Sequence, residues 1–183
     1  MNRKETMQIL AALRAAYPSS FKDLDRMDIE AMTQLWQTLF ADENYPDVSA
    51  AVYALISSRT VGYSPTVGEV KEKLHSLRTV NELSEQDAWA LVSKACQNGL
   101  YGYRKEFDKL PPEVQRAVGS AEQLKAWAAM DVDTVESVVA SNFKRSFRVN
   151  AERKKELDML PESVRSVIGQ LADGMKMIGE GTG

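Results

Sequence analysis

The sequence predicts an all-α protein: an N-terminal four-helix-type compact bundle followed by a second small helical domain. Three observations predict this. Apolar residues recur at three- and four-residue steps almost throughout, strand-like alternation is absent, and residues that cap helices stand just ahead of the apolar stripes. At 183 residues with 44% hydrophobic content, the chain is long enough for two small cores.

The first helix is read from Gln8-Ile9-Leu10-Ala11-Ala12-Leu13 and closes near Tyr17-Pro18. In the second, Ile29, Met32, Trp36, Leu39 and Phe40 share one face of a 3.6-residue period. The third carries Val48, Ala51, Val52, Leu55 and Ile56, with Pro46 in its first turn, where the missing amide hydrogen costs nothing. The fourth carries Val67, Val70, Leu74 and Leu77, and Thr66 with Glu69 forms a capping-box pattern. These segments make the first domain, residues 1–78, and 79–83 reads as a linker.

The second domain is expected over 84–178. Ser84 and Asp87 cap a helix with the stripe Ala88, Trp89, Val92, Ala95 and Cys96, which Gly99 is expected to stop. A turn-rich stretch with Tyr101, Gly102 and Tyr103 follows, then short helices around Pro112–Val118 and Ala121–Met130. Asp133 and Glu136 are read as caps of a longer helix carrying Val135, Val138, Val139, Phe143 and Phe147. A last amphipathic helix holds Val164, Val167, Ile168, Leu171, Met175 and Ile178, and 179–183 reads as a disordered tail.

One internal echo stands out. Glu106-Phe107-Asp108-Lys109-Leu110-Pro111 precedes Val114 and Gly119, and Glu156-Leu157-Asp158-Met159-Leu160-Pro161 precedes Val164 and Gly169. It reads either as a duplicated docking element or as a shared way of starting a helix.

Reactive groups are sparse. His75 is the single histidine and Cys96 the single cysteine, read as a small core residue. A phosphate-binding loop of the Gly-x-x-x-x-Gly-Lys-Ser/Thr type is absent, which excludes an ATP-driven motor of that class. Carboxylate pairs such as Asp23 with Asp25 and Asp131 with Asp133 fall at helix starts, where the dipole favours them. The expectation is a non-enzyme without cofactor or metal. No apolar run approaches the roughly 20 residues of a membrane span, no signal peptide is evident, and one cysteine suits a reducing compartment. The expected location is the cytoplasm.

Two surfaces are candidates for binding. Net charge is −3, yet Lys144, Arg145, Arg148, Arg153, Lys154 and Lys155 form one basic concentration, interleaved with Phe143 and Phe147. It reads as a single-stranded-DNA groove or as a solvated face over core phenylalanines. The last helix, with Val164, Ile168, Leu171 and Met175 as anchors, reads as part of the second core or as a helix laid into a partner's groove.

The order of the helical segments Lys4–Tyr17, Leu35–Phe40, Ala51–Ser57 and Pro65–Val70 resembles the N-terminal domain of the phage replicative helicase loader/inhibitor family, known from siphophages of Gram-positive bacteria. The resemblance implies a partner, the hexameric replicative DNA helicase, which such proteins inhibit and deliver to an origin-binding replication protein. It also implies that a C-terminal segment contacts the helicase, and the amphipathic last helix offers Val164, Ile168, Leu171 and Met175 as the candidate contact. The second half departs from family members with a short flexible C-terminus. The alternative reading is a single-stranded-DNA-binding replication or packaging adaptor acting through Lys144–Lys155, and an orphan scaffold is a third.

Overall fold

In the computed structural model the described residues are 1–79 and 82–180, with side chains described through residue 171. Helices account for the regular structure, and the described residues contain no strand. The chain forms two compact units: Met1–Val80 together with Leu157–Gly183, and Asn81–Glu156. The expected second domain ran to 178, whereas here Leu157–Gly183 groups with the first unit.

Local chemistry starts each helix of the first unit. Helix α1 (Arg3–Ala16) is capped by Asn2, with Glu5 returning the bond to the Asn2 amide. Helix α2 (Arg26–Leu39) repeats this with Asp25 and Asp28. Asn44 caps α3 (Tyr45–Ser58), whose first turn holds Pro46. Thr66 and Glu69 close the predicted capping box on α4 (Val67–Arg78). Each such cap is worth about 1 kcal/mol. Ile9, Leu10, Leu13, Trp36, Phe40, Val48, Val52, Val70 and Leu74 form the core, with Trp36 stacked on Phe40 at 5.3 Å. The buried hydroxyls of Thr6 and Thr33 donate to the carbonyls of Asn2 and Ile29, so neither is left unsatisfied.

In the second unit α5 (Glu85–Asp108) is one unbroken helix, which corrects the expected stop at Gly99 and the turn around Tyr101–Tyr103. Gly99 is buried, and a Cβ there would lie 3.1 Å from the Ala128 Cβ on α7 (Ala121–Ala128). The glycine therefore serves close helix packing. Between them, α6 (Pro112–Val118) ends at Gly119, whose φ of +94° no L side chain adopts comfortably.

The chain continues through a helical turn α8 (Val132–Thr134) and a π-helical turn Val135–Val139 into α9 (Ala140–Asp158). Asp131 caps this helix through the Thr134 amide, a correction to the expected Asp133 and Glu136. Glu136 instead accepts from Trp89 Nε1 at 3.3 Å and Ser93 Oγ at 2.9 Å. The wide turn shifts the helical phase, so Val138 faces solvent while Val135 and Val139 stay buried. The core holds Trp89, Val92, Leu110, Val114, Leu124, Phe143 and Phe147, with Trp89 and Phe143 at 5.6 Å.

Thr79 ends α4 and Leu83 packs on the second core, so only 80–81 of the expected linker lies outside the described residues. Helix α10 (Glu162–Glu180) reaches two residues into the expected tail, and 181–183 lie outside the described residues.

Candidate functional site

The corner between α9 and α10 and the helix that leaves it form the candidate site, all within the first unit. Leu160 closes the corner by donating its amide to the Leu157 carbonyl at 3.1 Å, and buried Pro161 opens the next helix. Pro161 has no side-chain acceptor to cap α10, and the cap comes from elsewhere. The Glu162 amide donates to Asp42 Oδ2, in the α2–α3 loop, at 2.6 Å. One turn earlier, Lys71 of α4 donates from Nζ to the Met159 carbonyl at 2.6 Å.

Lys71 is an unusual residue for this role, since it is only 8% exposed. Its ammonium lies 5.2 Å from the centre of the Phe40 ring, which offers the favourable face of an aromatic quadrupole. Burial pulls its pKa below the ordinary lysine value, only partly offset by the charges of Glu43 and Asp42, and Arg165 and Arg78 pull the same way as burial. Arg78 itself is held by Asp47 at 2.7 Å and Glu43 at 2.8 Å. Sequence reasoning passed over Lys71 and Asp42. The signal was available in part: Lys71 stands among Val67, Val70 and Leu74, an apolar-face position occupied by a cation.

Past Arg165 the described side chains of the helix are bare. Val164 and Arg165 are half-buried, and every residue from Ser166 to Leu171 is exposed, including Val167 at 53%, Ile168 at 41% and Leu171 at 65%. These positions follow the three- and four-residue spacing that makes one stripe on a helix. Of the four predicted anchors, Val164 lies at the edge of the first unit, and Ile168 and Leu171 share the exposed stripe. The side chain of Met175 lies outside the described residues.

The internal echo has a structural counterpart. At both corners the leucine amide donates to a carbonyl three residues back, Leu110 to Phe107 and Leu160 to Leu157. Both prolines accept from the residues three and four ahead, Val114 and Gln115 in one case and Val164 and Arg165 in the other. The two then diverge. Gly119 ends α6 and lets α7 return over a buried Val114 and Val118, whereas α10 runs on through Gly169 with Ile168 in solvent.

Of the two readings of the basic segment of α9, the phenylalanines follow the core one. Phe143 and Phe147 are 2% and 6% exposed and belong to the second core, so neither ring can stack a base. Arg145, Arg148, Arg153 and Lys154 are exposed, and Lys144 and Lys155 half-buried. Acidic residues partly answer them: Arg148 lies 3.8 Å from Glu85, and Lys154 3.9 Å from Glu82. A cavity beside Phe147 is lined by Arg116, Lys154 and Lys155 but also by Glu82 and Glu113.

Cys96 is half-buried, and burial together with the charge of Glu136 pushes its thiol up to about 11. His75 sits in the last turn of α4. Among the described residues no group of three His, Cys, Asp or Glu side chains is placed to hold a metal ion. None of the described helices is long and apolar enough to cross a membrane.

Among known protein families, residues 1–71 match the model for the N-terminal domain of a phage helicase loader/inhibitor. No curated protein and no solved structure matches the chain.

Proposed function

We propose, on the premise that residues 1–71 match a helicase loader/inhibitor domain, that this chain is a phage or prophage replication protein acting on a hexameric replicative helicase in the host cytoplasm. In this reading it binds the helicase, inhibits it and loads it at the origin without hydrolysing ATP itself. The domain match carries the reading. The exposed stripe of Val167, Ile168 and Leu171 on α10 supplies a surface of the type that docks into an apolar groove.

With no phosphate-binding loop in the sequence, the mechanism is one of selective binding. A protein that spends no nucleotide shifts a ring only by its differential affinity for two conformations. Six equivalent helicase subunits would multiply a weak contact into a strong bias. The bundle would recruit the complex through an origin-binding protein, and release would follow once DNA is threaded.

The test is to mix the full chain with a replicative helicase hexamer and measure complex mass and ATPase rate together. A stable complex with altered ATPase supports the reading. Failure to bind at micromolar concentration, with salt-sensitive binding to single-stranded DNA instead, moves the assignment to Lys144–Lys155 of α9.

A further inference from the structure

We propose that Lys71 and Asp42 are positioning residues for α10: together they clasp its base, so that the helix stands on the first unit as a strap fixed at one end. The contact role assigned to the strap rests on the helicase reading above, while the clasp itself does not.

Convergence is the first ground. Lys71 on α4 and Asp42 in the α2–α3 loop reach Met159 and Glu162, partners 88 and 120 positions away in sequence. Both bonds are 2.6 Å and charge-assisted, a class stronger than neutral ones. The second ground is that α10 has no cap of its own, because the residue ahead of Glu162 is Pro161. The Glu162 amide takes the borrowed carboxylate of Asp42, while Val164 and Arg165 donate to the Pro161 carbonyl. The third is that, among the described residues past Arg165, no side chain holds it: Ser166 through Leu171 are exposed, and a Cβ built on Gly169 would meet nothing within 4 Å. Apart from the two bonds, Met159, Leu160, Pro161, Val164 and Arg165 are the described residues that bury surface at the base.

A strap of this kind fixes direction at one end and leaves the apolar stripe free. The bundle then decides where Val167, Ile168 and Leu171 are presented. Asp42 is exposed and outside the core, so its replacement tests the clasp without emptying the bundle.

The experiment is hydrogen exchange on the full chain. In Asp42→Ala, amides over 162–168 are expected to exchange roughly fivefold faster, the effect of a lost helix cap. Protection in α1 and α3 should stay unchanged. Asp42→Asn keeps an acceptor oxygen and should restore most of the protection. Lys71→Met should loosen the same segment from the other side. Unchanged exchange over 162–168 in both Asp42→Ala and Lys71→Met overturns the clasp. So does an equal loss across α1 and α3, which would make the two residues ordinary parts of the bundle. A helicase titration then reads the contact role. Asp42→Ala should bind several-fold more weakly at unchanged Tm, and equal affinity despite faster exchange overturns positioning. A wild-type chain that does not bind overturns the helicase reading alone, since exchange still decides the clasp.

Discussion

Gly99 of α5 and Ala128 of α7 approach so closely that a Cβ added to the glycine would stand 3.1 Å from the alanine Cβ. Three residues on, Gly102 has nothing within 4 Å of the same position. The two glycines share one helix and should respond oppositely. Gly102→Ala is expected to raise stability by about 0.5–1 kcal/mol through helix propensity alone. Gly99→Val should lower it by about 1–3 kcal/mol, because α7 must move aside. Urea unfolding of the two variants checks both signs.

Cys96 should be a sluggish nucleophile. With its thiol pushed up to about 11, roughly one molecule in a thousand carries a thiolate at pH 8. Alkylation by iodoacetamide is expected to run about a hundredfold slower in the folded chain than in urea, where the thiol recovers its ordinary value. A native rate equal to the unfolded one would contradict the burial.

Lys71 predicts a pH dependence with a definite sign. Burial lowers its folded pKa below 10.5, so between that lowered value and 10.5 the unfolded chain holds a proton that the folded chain has released. Stability of the wild type relative to Lys71→Met should therefore rise with pH through that alkaline window and stay flat below it. Paired urea titrations from neutral pH upward would show it.

The exposed stripe of α10 separates binding from folding. Ile168→Asp combined with Leu171→Asp should leave Tm nearly unchanged, since surface substitutions usually act within about 0.5 kcal/mol. Helicase affinity should fall by at least about tenfold, as expected for loss of central apolar anchors. Sedimentation of the mixed proteins reads the second effect and thermal unfolding the first.

The four-helix pattern of the first unit was legible because each helix carries both a stripe and a local cap, as with Thr66 and Glu69 ahead of Val70 and Leu74. Local rules failed where the cause lay on another helix. Gly99 has the composition of a stop, but α7 makes it a packing contact. Glu136 has the look of a first-turn acid, but Trp89 and Ser93 recruit it across the second core. The π-helical turn then moves Val138 out of the stripe that spacing assigns it. At the candidate site the amphipathic pattern of α10 was plain in sequence. Its attachment was not, because no local rule pairs Lys71 with a backbone carbonyl 88 residues away.

That separation also sets an order of events during synthesis. At ~5–20 residues per second, the ribosome needs roughly 4–18 s to add the 88 residues between Lys71 and Met159. Through that interval the Lys71 ammonium lacks the carbonyl it will later grip. The second unit, Asn81–Glu156, emerges in between. Seating of the α10 base thus follows synthesis of the second unit, and a nascent chain stalled short of Met159 would carry the bundle without its strap.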